Sequence, residues 1–236
     1  MNPALPRWLS RLVTLLTPVI LVLAAVRILI SPAFLIVEYS TPGFPAEPYG
    51  FTKEDRLYWS RIAVAYLLNN ADISFLADLR FPDGQMAPPQ SCQYMDDCTH
   101  LYNVRELKHM EDVKNVVKSA LSVFYGSLAV VIGLGIWAFF AGWSSEFRRG
   151  VRRGGWLTVG LIAAILLFIA IAFGFIFVIF HNIFFDSGTW TFFYSDTLIR
   201  LFPERFWRDT FIAIGILAGG SGLALGVLLK EKTKGE

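Results

Sequence analysis

N-V-R-E-L-K-H-M-E-D-V-K-N-V-V-K, residues 103–118, carries its charges at helical spacing and runs directly into an apolar stretch, residues 120–143. At 3.6 residues per turn, Lys108, Glu111, Asn115 and Lys118 line one polar stripe, and Glu106, His109, Val113 and Val116 line another. His109 therefore lies on the apolar side, one turn from a carboxylate. By helical rise it lies about 16 Å from Ala120 along the axis, near the headgroup layer of any bilayer the apolar stretch crosses. An ionisable ring in such a place costs free energy unless it has a partner or a task. One reading satisfies His109 with Glu106 or a backbone carbonyl. The other gives it chemistry to perform.

Working outward, the composition supports a membrane protein. The chain of 236 residues is 55% hydrophobic, above the usual range of soluble domains. The apolar residues fall into four runs, each long enough for a hydrocarbon core of roughly 30 Å. The spans are expected at 12–36, 119–143, 156–180 and 207–229, in an all-α membrane protein. Basic residues set the orientation. Arg7 and Arg11 precede the first run, Arg148, Arg149, Arg152 and Arg153 crowd residues 144–155, and Lys230, Lys232 and Lys234 follow the last. These places share one side if every run spans, which puts both termini, the basic 144–155 loop and the 230–236 tail in the cytoplasm. A mainly helical domain, 37–118, and an aromatic loop, 181–206, then lie outside. The outer domain holds twelve Asp and Glu against eight Lys and Arg, so the overall charge of +2 hides an asymmetry. The arginines are a topology signal, and nothing points to nucleic acid. Arg7 and Arg11 before an apolar run with Ala24-Ala25 imitate a signal peptide, but the run continues past Arg27 to Ile36 and reads as a retained span.

Along the chain, Pro18 is expected to bend or restart the first helix, and Ser31-Pro32 to loosen its outer turn. Arg27 sits well inside the first run, either snorkelling to the headgroups or facing a polar cavity. Thr52 with Asp55 three residues on begins a helix over 53–68. Residues 73–81 fit a short hairpin or a helix. Cys92 and Cys98 can close a small loop in an oxidising compartment, whereas zinc would leave these two cysteines and His100 one ligand short. Asn103 caps the His109 helix with Glu106 at its third position, a structural role that competes with any catalytic one. His181 ends the third run among aromatics. Trp190, Phe192, Phe193, Tyr194, Phe202, Phe206 and Trp207 follow it, as an interfacial belt or the wall of an acyl-chain cleft. Ser195-Asp196-Thr197 reads as a helix start, and Pro203 fits the first turn of the last span.

His109 and His181 should face one leaflet from neighbouring helices, with Glu38, Glu106, Asp112, Asp186 and Asp196 as candidate carboxylates. No G-x-S-x-G, phosphate-binding loop or H-E-x-x-H occurs. Three chemistries remain open: acyl transfer by histidine acid–base catalysis, haem held by two histidines, or a metal held by His109, Asp112 and His181. A non-enzymatic membrane scaffold or sensor is the fourth reading.

E-L-K-H-M-E-D-V-K at 106–114, F-H-N-I-F-F at 180–185 and W-T-F-F-Y-S-D-T-L-I-R-L-F-P-E-R-F-W at 190–207 resemble the lipoprotein intramolecular transacylase (Lit)-like family of bacterial four-span membrane proteins. The likeness covers most of the chain from Arg27 to Trp207, and Pro32 through Tyr39 resembles the family's exit from its first span. It implies an acyltransferase of the bacterial cell membrane with its active site facing outside and no cofactor. The implied partners are diacylglyceryl lipoproteins and membrane lipid. The implied reaction moves the sn-2 acyl chain of an S-diacylglyceryl cysteine to the N-terminal amine, leaving a lyso-form lipoprotein. By resemblance His109 and His181 are the catalytic pair. Arg27 is then a candidate for the oxyanion, Glu106 or Asp112 for orienting His109, and Glu38 for positioning.

Overall fold

The computed structural model describes residues 4–186 and 188–229. Among them run α1 (Ala4–Leu29), α2 (Pro32–Glu38), α3 (Lys53–Leu68), α4 (Ser74–Ala77), α5 (Pro89–Cys92), α6 (Val104–Phe140), α7 (Ser144–Phe184), α8 (Thr197–Leu201) and α9 (Glu204–Leu228). The chain is an all-α membrane protein, and α1, α6, α7 and α9 are long and apolar enough to cross a bilayer. At 37 residues α6 is about 55 Å long. That exceeds a hydrocarbon core of roughly 30 Å, so its charged beginning is surplus to the span.

The chain divides into two compact units. The first holds α1 as far as Ile28, Ala120–Ile171, and residues 211–229. Its helices meet where side chains are small. A Cβ on Gly150 would collide with the Ser10 carbonyl, one on Gly154 with Thr17, and one on Gly155 with the Gly222 carbonyl. The Ser10 hydroxyl donates to the Glu146 carbonyl at 2.8 Å and the Thr14 hydroxyl to the Gly150 carbonyl at 3.1 Å. Lipid tails are as apolar as leucine, so helices in a bilayer associate through close packing and such hydrogen bonds. These contacts account for a first correction. Residues 144–155, expected as a basic loop, form the opening turns of α7, and only residues 141–143 connect it to α6. The arginines therefore ride on a helix, with Arg149 paired to Glu146 at 2.8 Å.

A second correction concerns residues 12–36. The first long helix begins at Ala4, passes through Pro18 and ends at Leu29. The break falls not at Pro18 but at Ile30-Ser31, beside the Ser31-Pro32 step expected to loosen the outer turn. There the Ser31 hydroxyl accepts from the Phe34 N–H at 3.3 Å, and Pro32 occupies the first position of α2, where its missing N–H costs nothing.

The second unit holds Leu29–Ser119 and Ala172–Thr210. Its core gathers Leu35, Tyr39, Trp59, Tyr66, Leu101 and Leu201, with α2, α4 and α8 packed on α3. The Thr52–Asp55 capping box starts α3. The Tyr39 hydroxyl donates to the Leu201 carbonyl at 2.6 Å. Arg200 donates from Nε to Glu47 at 2.8 Å, and its guanidinium stacks 3.6 Å from the Phe51 ring centre. Residues 73–81 become α4 followed by an extended segment. Phe81 N–H donates to the Thr99 carbonyl and Leu101 N–H to the Leu79 carbonyl, both at 2.8 Å. A Cys92–Cys98 disulfide closes the turn between these two segments.

Candidate active site

Asn103 and Glu106 form a reciprocal cap at the start of α6. Asn103 N–H donates to Glu106 Oε2 at 2.9 Å, and Glu106 N–H donates to Asn103 Oδ1 at 3.0 Å. Glu106 Oε1 accepts from the Leu198 N–H at 2.7 Å, which ties α6 to α8. Fully buried Asp196 adds a second tie. It accepts from Asn103 Nδ2 at 3.1 Å, from Arg105 at 3.3 Å and from the Phe193 N–H at 2.9 Å. These bonds hold the aromatic segment before α8 against the first turns of α6. His109 stands one turn further along that helix.

His181 lies near the end of α7, beyond Ala172, whose φ of −146° and ψ of 51° interrupt the helix. Its Nδ1 is 2.7 Å from the Phe177 carbonyl. A carbonyl only accepts, so the proton of the neutral ring sits on Nδ1 and Nε2 carries the lone pair.

The two imidazoles are near-parallel, 18° apart, with ring centres separated by 6.2 Å. Each is only 8% exposed. Phe185 and Phe192 present tilted rings to His109 at 4.8 and 5.2 Å. Phe177, Trp190 and Phe185 surround His181 at 4.0, 4.8 and 5.6 Å. An imidazole nitrogen lies about 1.1 Å from its ring centre, so no nitrogen of one ring comes within about 4.0 Å of the other's, beyond hydrogen-bond reach. The rings do not bond each other.

The other sequence-predicted residues fall in different places. Glu106 spends both oxygens on backbone N–H groups. Asp112 accepts from Lys108 at 3.0 Å. Neither carboxylate hydrogen-bonds His109, whose Nδ1 is buried without a partner among the described residues. That arrangement departs from the orienting role expected of Glu106 or Asp112. No group of three or more His, Cys, Asp and Glu converges as metal ligands among the described residues, and Asp112 faces Lys108 instead of completing a His109–His181 set. Arg27 is half-buried in the last turn of α1 and belongs to the first unit. Asp186 is exposed. Glu38 ends α2, 3% exposed, with Oε1 unpartnered among the described residues. Burial, and then the neighbouring Asp209, push its pKa up to about 7, while Arg205 acts the other way. Asp209, paired with Arg205 at 3.1 Å, escaped sequence reasoning because its charge reads as the start of a span. Phe192 and Trp190 were visible only as a belt or cleft, and Phe185 only as one of the aromatics beside His181, since alternation in a loop does not say which ring faces a histidine.

Comparison with known proteins adds three findings. The family model described as lipoprotein intramolecular transacylase Lit matches residues 11–207. An uncharacterized protein of Aquifex aeolicus (strain VF5) is 29% identical over 238 residues, with 97% of each chain covered. The membrane integral lipoprotein intramolecular transacylase Lit from Bacillus cereus has a similar fold. Its structure superposes with a TM-score of 0.74 at 21% identity, covering 96% of this chain and 95% of that one. A variant of the same protein with a histidine replaced by arginine gives 0.70 at 20% identity, covering 96% and 91%. The matched residues take in both histidines and the network that holds the aromatic segment, and the chain belongs to the lipoprotein intramolecular transacylase Lit family of membrane-integral acyltransferases.

Proposed function

We propose that His109 and His181 are the acid–base pair of an intramolecular acyl transfer at the outer leaflet. The substrate is a lipoprotein whose first residue is an S-diacylglyceryl cysteine with a free amine. The amine nitrogen attacks the sn-2 ester carbon, the carbon–nitrogen bond forms, and the bond from that carbon to the glycerol oxygen breaks. The product is a lyso-form lipoprotein with an amide-linked acyl chain. The observation that carries this reading is the ring pair: two buried imidazoles from separate helices, 6.2 Å apart, unbonded to each other and walled by aromatic rings. With its proton held on Nδ1 by the Phe177 carbonyl, His181 offers Nε2 to the amine, whose unperturbed pKa is roughly 7.7–8.0. The proton that His181 takes from the amine is returned to the departing glycerol oxygen, which His109 hydrogen-bonds as it leaves, so no proton is consumed and both rings end neutral. Amine and ester belong to one molecule, and holding them together supplies much of the acceleration. The aromatic wall suits acyl chains and excludes water that would hydrolyse the ester. The distribution of arginines and lysines supports cytoplasmic termini and a site on the opposite side.

The test uses purified protein in nanodiscs with a synthetic S-diacylglyceryl cysteinyl lipopeptide, followed by tandem mass spectrometry. The expected product has unchanged mass and one acyl group on nitrogen, formed about 10²–10⁴-fold more slowly by His109→Ala and His181→Ala. Full rates in both variants would exclude the histidine mechanism. Folded wild-type protein that leaves the lipopeptide unchanged would favour the scaffold reading.

A further inference from the structure

Attack on an ester puts negative charge on the carbonyl oxygen, and a buried site needs a donor aimed at it. In the unit that holds both histidines, the described arginine and tryptophan side-chain N–H donors that are buried without an acceptor belong to Arg56, Arg105, Arg200 and Trp190. Three of these stand elsewhere. Arg56 lies over Tyr39 and Phe44, Arg105 over Tyr94 and Phe193, and Arg200 over Phe51. Trp190 alone packs on a histidine of the pair, its ring 4.8 Å from that of His181. A tryptophan Nε1–H can only donate, and leaving it buried and unpaired costs about 1–3 kcal/mol. A buried orphan donor of this kind stores strain, is met by water or an ion, or serves catalysis, and its place beside His181 favours the last. His109 Nδ1, in the same aromatic enclosure, is also unpartnered among the described residues.

We infer that Trp190 supplies the oxyanion donor: its indole N–H, orphaned beside His181, hydrogen-bonds the sn-2 ester carbonyl oxygen as that oxygen becomes negative. The inference rests on the acyl transfer proposed above and adds a group that neither the histidines nor Arg27 provides within this unit. No proton leaves Trp190. The bond strengthens as the carbonyl carbon turns tetrahedral and relaxes when the amide carbonyl re-forms. Binding of this kind lowers the barrier without tightening the ground state.

The decisive variant is Trp190→3-benzothienylalanine, introduced by codon suppression, which keeps the bicyclic shape and replaces N–H by sulfur. The expected result is a fall in kcat of about 10²–10³-fold with KM retained. An unchanged kcat, or a raised KM alone, overturns the inference. A measurement on wild-type protein guards against misfolding of the variant. With 15N-indole labelling, the Trp190 N–H proton resonance should move downfield when a phosphonate analogue of the tetrahedral intermediate binds, and an unmoved resonance overturns the inference as well. His109→Ala and His181→Ala run in parallel separate the two claims. If they keep full rate, the histidine mechanism fails. If they are inactive while the isostere is fully active, only the Trp190 assignment fails.

Discussion

Glu106 has two candidate roles on sequence grounds, cap or orienting carboxylate, and its hydrogen bonds decide for the cap and for a tie to α8. Its periodicity beside His109 is legible in residues 103–118; its second partner, Leu198, lies 92 residues on and is not. Removing the carboxylate strands two buried N–H donors at about 1–3 kcal/mol each. Glu106→Ala should therefore melt well below wild type in detergent, and Glu106→Gln, which keeps one acceptor, should recover part of the loss. Equal melting of Glu106→Ala and wild type would remove the tie from the account. Glu38 makes a pH-dependent prediction. Its folded-state pKa of about 7 exceeds the usual 4.5, so the fold favours the protonated form. That contribution is fully present below about pH 4.5 and is lost as the pH rises through about 7. Glu38→Gln should match wild type near pH 5 in thermal melts and exceed it near pH 8; parallel curves would contradict the assignment.

Element-level signals were legible where they are local. The Thr52–Asp55 and Asn103–Glu106 caps need only four consecutive residues each, and both form. Thr52→Ala should accordingly cost about 1 kcal/mol, read by thermal or chemical denaturation. Residues 144–155 misled because four arginines among glycines look like a loop. Their helix depends on the approach of Gly150 and Gly154 to Ser10 and Thr17 on α1, which no local pattern announces. Residues 73–81 stayed ambiguous for a similar reason, since their pairing partner is the segment around Thr99. Gly154→Val would force its side chain into Thr17, an overpacking worth about 1–3 kcal/mol. The expected outcome is a melting temperature several degrees lower, and an unaltered one would mean that α1 and α7 do not pack as described.

At the scale of the whole molecule, run length and hydropathy made the four spanning helices legible, because a bilayer selects for both directly. That His109 and His181 face one leaflet from neighbouring helices was legible in the order of the runs, whereas their choice as a pair came through family resemblance, since ring-to-ring approach depends on how α6, α7 and the aromatic segment fold together. What the molecule does with that meeting is tested most directly on a living membrane. The chain is expressed in a bacterial host unable to N-acylate lipoproteins by another route, alongside His109→Ala and His181→Ala. The N-terminal tryptic peptide of a resident lipoprotein is then sequenced by tandem mass spectrometry. An unchanged total acyl mass, with one chain moved from glycerol to the amine by wild type and by neither variant, is the predicted result. A well-expressed wild-type chain that leaves only the S-diacylglyceryl form with its free amine would contradict it.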